Sequence, residues 1–244
     1  MTGAVRLVAP AKLTVTLRVT GLRPDGYHLI DAEMVSLDIA DELTFRDAGG
    51  AGTTIDLTGP AAAGLSAGPD NLVARALRAV GREAHVTLDK RIPHGGGLGG
   101  GSADAGAVFR WAGVDDLDLA ATVGADVPFC TRGGRARVRG IGEVVEPLPF
   151  VERTVTLATP DFGCDTAAVY RAWDDLGGRS ADGPNDLEHA ALRVEPRLAA
   201  FRDAFGEDTG EVPLLAGSGS TWFVPGAHPG PGRVVARTVP AFDS

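Results

Sequence analysis

Residues 93–106 read PHGGGLGGGSADAG, with six glycines between Pro93 and Ser102. Pro93 closes a strand-like run, HVTLDKRIP (85–93), and Ser102 is placed to cap a helix reaching about Ala112. Glycine admits positive φ and lets another group approach the backbone closely. Successive free N–H groups running into a helix N-terminus form an anion cradle. The chemistry this suggests is phosphate binding; the plain alternative is a surface loop. The run lacks the Gly-Lys-Ser/Thr ending of a Walker A loop. Gly95 to Gly100 also satisfies G-x-G-x-x-G, but a dinucleotide fingerprint opens the first βαβ unit and is followed by an acid at the end of the next strand. Here several strands come first, and the nearest acids, Asp115, Asp116 and Asp118, fall in a helix-like segment. The dinucleotide reading is therefore the weaker. Asp126, in Gly-Ala-Asp-Val-Pro, suits a carboxylate fixed in a loop, and equally an Asx turn or helix cap. The chain has only two lysines, Lys12 and Lys90, among 23 basic residues. In so arginine-rich a chain, a retained lysine marks a place for a compact ammonium, or is retained by chance.

Other segments must position these residues. RLVAPAKLTVTLRVTG alternates as a half-buried strand does and leads into the turn RPDGYH (23–28). MVSLDIA (34–40), ELTFRD (42–47) and TTIDLTG (53–59) read as separate strands, and DNLVARALRAVG (70–81) as a helix. Residues 115–130 read as a short helix, a glycine break and a loop entering a strand; 135–148 read as a hairpin. From Arg153 the chain restarts: strand RTVTLATP, helices at 166–176, 184–192 and 196–206, a strand–turn–strand at 212–226 and a last strand. This predicts an α+β chain with a boundary near 148–153.

The 244 residues suit one large domain or two lobes. A net charge of −9 argues against nonspecific nucleic-acid binding, so an anionic substrate must be held by local features. No apolar run is long enough to span a bilayer, and the N-terminus lacks a signal-peptide pattern. The expectation is a cytoplasmic protein with a small-molecule substrate, binding neither nucleic acid nor membrane, as monomer or homodimer. Cys130 and Cys164 are too few for a disulfide framework or zinc site and read as buried thiols.

Four blocks stand in a familiar order: PAKLTVTLRVTGLRPDGYH (10–28), GGGLGGGSADA (95–105), GADVPF (124–129) and AGSGSTWFV (216–224). With them the chain resembles the GHMP kinase superfamily, and within it the branch acting on a cytidine-diphosphate-linked alcohol. The resemblance covers most of residues 5–225. It implies a ribosomal-S5-like N-terminal lobe (1–150) and a ferredoxin-like C-terminal lobe (151–244) with the site between them. It implies ATP and Mg²⁺, and transfer of the γ-phosphoryl to the 2-hydroxyl of a cytidine-diphosphate-linked methylerythritol in non-mevalonate isoprenoid precursor biosynthesis. Lys12 matches the family's catalytic lysine and Asp126 its catalytic base. Asn71 and Lys90 match positions near the adenine pocket. The stretch Pro93, Gly95, Gly96, Gly97, Leu98, Gly99, Gly100, Gly101 and Ser102 matches the ATP-phosphate loop, and Ser102 is the nearest candidate Mg²⁺ ligand. Tyr27 and His28 match a pair at the cytidine end. Tyr170, with Thr166 before it, matches an aromatic position against cytosine; a core tyrosine is the alternative. Gly217 and Ser218 match the third motif, a turn small enough to approach the glycine loop.

Two departures stand out. The family writes Pro-Ala-Lys-x-Asn, and Thr14 replaces that Asn beside the reacting groups. A threonine keeps one hydroxyl and loses the amide's two donors. Second, PGAHPGPG replaces a helix between the last two strands, which predicts exposed sheet surface and a route to self-association. The alternatives are a superfamily paralogue phosphorylating another small alcohol, a nucleotide-binding protein without catalysis and, more distantly, a dinucleotide oxidoreductase.

Overall fold

A computed structural model describes residues 3–242. Two long strands, β1 (Val5–Leu22) and β2 (His28–Asp47), pair antiparallel as a hairpin whose tip is the Pro-Asp-Gly turn. The expected break at residue 41 is absent. Asp41 interrupts the apolar pattern, yet it lies fully buried inside one continuous strand, because Lys90 and two backbone amides satisfy its carboxylate. Pro10 has no N–H to give the ladder, and β1 slips register between Pro10 and Lys12. The Lys12 N–H instead donates to the Leu98 carbonyl at 3.0 Å, which ties the strand to the glycine loop.

Next come β3 (Thr54–Thr58), α1 (Leu72–Ala79), β4 (Ala84–Asp89), α2 (Gly100–Ala112), α3 (Leu117–Val123), α4 (Val127–Arg132), and the hairpin β5 (Arg135–Gly140) and β6 (Val144–Pro147). Where a loop running into a strand was expected after the glycine break, the chain forms α4. Pro128 sits in its first turn, where a missing N–H costs no hydrogen bond. Helix α2 begins two residues earlier than expected. Its cap is Gly99 in the left-handed region, so Ser102 lies inside the first turn and is not the N-cap.

The second half contains β7 (Thr154–Ala158), α5 (Thr166–Asp175), α6 (Glu188–Val194), α7 (Arg197–Thr209), β8 (Leu214–Leu215), β9 (Trp222–Pro225) and β10 (Arg233–Val239). Helix α6 starts four residues later than expected, because the Asn185 side chain bonds elsewhere. The sheet order β10-β7-β9-β8, antiparallel throughout, is the fourth-first-third-second order of a ferredoxin-like lobe. Strands β9 and β10 flank β7, so the chain must cross it, and residues 226–232 do so without a helix. The strap covers part of the expected bare sheet, and Val234 on β10 stays 42% exposed. Thr156 on β7 is fully buried: its hydroxyl donates to the Gly226 carbonyl and accepts from the His228 N–H, both at 2.9 Å. Val235 on β10 stays 38% exposed. Strand β10 also pairs with β2 through Thr238–Leu37 and Val239–Ser36, so ten strands form one sheet. One core runs from Leu13 and Met34 to Leu157, Phe223 and Ala236, across the 148–153 linker.

Candidate active site

The glycine loop folds as a backbone surface. Gly95, Gly97 and Gly99 have φ of 80°, 77° and 69°. A Cβ on Gly99 would lie 2.6 Å from Lys12 Cγ, and one on Gly97 would lie 2.7 Å from the Gly219 carbonyl. The loop therefore approaches both the first strand and the third motif as closely as only glycine allows. The first bond of α2 is Ala103 N–H to Gly99 O at 2.8 Å, which leaves the amides of Gly100, Gly101 and Ser102 without intrahelical partners. These amides, with Asn71, Pro93 and Leu98, line a cavity of about 440 Å³. Gly96 does not line it. Its carbonyl accepts the Thr221 N–H at 3.2 Å and it packs on Thr159, joining the loop to the C-terminal lobe. Asn71 caps α1, accepting the Val73 N–H at 2.9 Å and donating to Ser66 O at 2.8 Å.

A second cavity of about 660 Å³ shares Gly97 and Gly99 with the first. At that junction Lys12 Nζ stands 3.1 Å from Asp126 Oδ2 and 3.3 Å from Thr14 Oγ1. Asp126 occupies the cap position of α4 but makes no capping bond, so its carboxylate is free to face Lys12. The lysine side chain is 8% exposed and the aspartate 30%. Thr14 is buried, and a Cβ on Gly217 would lie 3.6 Å from Thr14 Oγ1 and 3.9 Å from Lys12 Nζ. Away from the junction the wall becomes aromatic, with Tyr27, His28 and Tyr170. Burial pushes the Tyr170 phenol up. Thr166 and Ser218 share a hydroxyl hydrogen bond of 2.9 Å at the same wall. A further cavity of about 900 Å³ lies elsewhere, beside β3 and α1, lined by Arg78, Arg82 and Glu83 among others.

Lys90 behaves differently from its sequence reading. Its ammonium is buried between Asp41 and Asp104, the latter at 2.6 Å, so it is not available to a ligand. Burial alone would push it down, but attraction to Asp104 and bonds to both carboxylates hold it above its ordinary value. Sequence reasoning also missed Asn185, whose buried amide donates to Leu215 O at 2.9 Å and Gly217 O at 2.7 Å and so holds the third motif. Its Pro-Asn-Asp context was the one available signal. Arg110 was missed as well. Its guanidinium, pushed down to about 10 by burial, donates to Cys130 O at 2.6 Å and Val8 O at 2.7 Å, tying α2 to α4 and β1. Burial pushes the Cys130 thiol up and keeps it unreactive.

A glycine loop with free amides at a helix start, meeting a lysine–carboxylate pair across a continuous sheet, is the arrangement of a GHMP-type kinase. The GHMP kinases N terminal domain matches residues 71–134, from the α1 cap through the cradle and Asp126 to the end of α4. The chain is 41% identical over 237 residues to the 4-diphosphocytidyl-2-C-methyl-D-erythritol kinase of Paracoccus denitrificans, covering 89% of this chain and 85% of that protein. It is 37% identical to that of Cereibacter sphaeroides over 263 residues, 96% of this chain and 93% of the relative. A crystal structure of 4-(cytidine 5'-diphospho)-2C-methyl-D-erythritol kinase superposes with a TM-score of 0.72 at 30% identity, covering 96% of this chain and 99% of the other. The chain belongs to the 4-diphosphocytidyl-2-C-methyl-D-erythritol kinase family. No helix among the described residues is long and apolar enough to cross a membrane.

Proposed function

We propose that the protein transfers the γ-phosphoryl group of ATP to the 2-hydroxyl of 4-diphosphocytidyl-2-C-methyl-D-erythritol, a cytoplasmic step of non-mevalonate isoprenoid precursor synthesis. One observation carries this reading: the Lys12–Asp126 pair stands at the two glycines shared by a backbone-lined cavity and an aromatic-walled one. Phosphoryl transfer asks a protein for positioning and charge neutralisation. The amides of Gly100, Gly101 and Ser102 hold phosphate oxygens. Asp126 accepts the proton of the attacking hydroxyl as its oxygen bonds to the γ-phosphorus. The bond from that phosphorus to the β–γ bridging oxygen breaks, and ADP leaves. Lys12 orients Asp126 before attack and stabilises charge on the transferred group afterwards. Asn71 borders the nucleotide cavity through its cap, and Lys90 contributes only its backbone and methylenes. Thr14, Thr166, Gly217 and Ser218 border the alcohol and its diphosphate, and Tyr27, His28 and Tyr170 the base.

Among the described residues, no group of three or more His, Cys, Asp or Glu could hold a metal. A Mg²⁺ ion bound mostly by phosphate oxygens and water fits such a site, and Ser102, on the cradle wall, offers a hydroxyl. The ion would neutralise charge on the phosphates. A second reading, a relative acting on another small alcohol, is favoured by Thr14 touching Lys12 where the family has Asn. Coupled ADP release with the cytidine-linked alcohol, homoserine and mevalonate separates the two. Turnover confined to the cytidine-linked alcohol supports the first, and turnover of another alcohol alone overturns it.

A further inference from the structure

A smaller cavity of about 340 Å³ lies between the end of α5, the loop that follows it and α6. Trp173 and Leu176 line it from α5, Arg179 from the loop, and His189 and Arg193 from α6. His189 and Arg193 are one turn apart, so they share a helix face. All three basic side chains are exposed, and none forms an ion pair with another described residue. The neighbouring Arg18, by contrast, is bound to Asp186 at 2.7 Å. Neither Lys12, Asp126 nor any glycine of the glycine loop lines this cavity.

Its walls are fixed by the fold. The Ala181 N–H donates to Asp186 and the Ala181 carbonyl accepts from Arg18, each at 2.9 Å. Gly178 has a φ of 60°, and a Cβ there would lie 3.2 Å from the Trp173 ring. The loop that carries Arg179 is therefore tied to β1 and packed on the indole. Asp186 also accepts the Val19 N–H, so its charge is neutralised within the fold. Asp182 is then the one exposed carboxylate on the wall, against two guanidinium groups. Trp173 Nε1 is buried and has no hydrogen-bond partner among the described residues. A buried donor without an acceptor is costly, and an anion beside this ring supplies one. On the substrate side the same helix meets the hairpin tip: Trp173 is edge-on to the His28 ring at 5.8 Å, and Asp174 Oδ1 lies 2.9 Å from His28 Nε2.

We propose that this cavity is an anion site separate from the glycine loop, and that it takes the phosphate or diphosphate group of a small molecule. The guanidinium forks of Arg179 and Arg193 match phosphate oxygens in pairs. His189 and the Trp173 N–H add donors. Leu176, 44% exposed, offers an apolar patch to the carbon part of the ligand. The volume falls at the small end of ligand pockets. In a chain of net charge −9, an anion is held by a local cluster of this kind. The occupant touches Trp173 and so bears on α5, the helix that brings Thr166 and Tyr170 to the substrate cavity. The site does not depend on the activity proposed above.

The test titrates inorganic pyrophosphate into the full chain by calorimetry, with a non-hydrolysable ATP analogue at saturation to fill the glycine loop. Wild type should bind one pyrophosphate with a Kd below about 1 mM. Arg179→Ala combined with Arg193→Ala should weaken binding about tenfold or more. The melting temperature should be kept, because both side chains are exposed. Arg6→Ala combined with Arg46→Ala removes the same charge from the first two strands and should change affinity by less than about twofold. Pyrophosphate should also change the tryptophan fluorescence of wild type and leave that of Trp173→Phe unchanged. The proposal is overturned by no binding beside the analogue, by an affinity that the Arg179 and Arg193 variant keeps within about twofold, or by an equal loss in the Arg6 and Arg46 variant. A fluorescence response absent from wild type, or kept by Trp173→Phe, overturns it as well.

Discussion

The two lysines of this chain sit in opposite electrostatic settings. Lys12 faces one carboxylate at 3.1 Å, and that carboxylate is partly exposed to an open cavity. Lys90 lies between two carboxylates that are almost completely buried, one of which also accepts the amides of Arg91 and Ile92. The first pair is open to a ligand in the cavity, as the proposed proton transfer requires. In the second the ammonium is enclosed by both carboxylates, so its role is to join β2 and α2 beneath the glycine loop. The Lys90 ammonium lies 3.2 Å from where a Gly100 Cβ would be, directly under the helix start. A rare lysine therefore marks a buried or near-buried charge, and its partners decide between chemistry and architecture.

Substitutions can break that contrast. Asp126→Asn should lower kcat by about 10²–10⁴-fold while leaving the melting temperature close to wild type. Activity near wild type would remove Asp126 as the base. Lys90→Met should do the reverse. It strands two buried carboxylates, and urea unfolding should register a loss of about 3–5 kcal/mol. Gly99→Ala forces a left-handed conformation on alanine, costing about 1–2 kcal/mol, and pushes on Lys12. It should depress kcat more than it raises KM, and an unchanged kcat would uncouple the cradle from the lysine.

The smallest effect sharpens the contrast by pH. Burial, partly opposed by Lys90, raises the Asp104 carboxyl from 3.8 to about 7. Its folded value lies above its unfolded one, so its contribution to stability is present at acid pH and is lost as pH rises through about 7. Asp104→Asn should flatten the stability curve between about pH 4 and 7, read as urea midpoints at several pH values. A slope identical to wild type would show that Asp104 stays ionised throughout.

The fold class was legible in the sequence, and so was the glycine loop of the candidate site. Glycine spacing announces a backbone cradle in one dimension, because positive φ and close approach leave few other residues possible. Lys12 and Asp126 became readable only through the blocks around them, since an isolated aspartate before Val-Pro is as good a cap as a base. Three signals misled. Asp41 looked like a strand break because nothing local announced that Lys90 would neutralise it 49 residues later. Ser102 looked like a cap because a left-handed Gly99 leaves no polar side chain to notice. Residues 226–232 looked like the loss of a cover, whereas Thr156 lets a short strap bond to the sheet face. The His28–Asp174 contact spans 146 residues and carries no local pattern. Apart from the local Ser102 miss, these are long-range pairings of polar groups, which periodicity does not encode.

The account turns on two cavities meeting at Lys12 and Asp126, and a crystal structure with a non-hydrolysable ATP analogue and the cytidine-linked alcohol tests it most directly. The account predicts phosphates on the amides of Gly100 to Ser102, the acceptor hydroxyl within hydrogen-bond reach of Asp126, and the base at the wall formed by Tyr27, His28 and Tyr170. A nucleotide seated in the cavity beside β3, or an acceptor hydroxyl remote from Asp126, would contradict it.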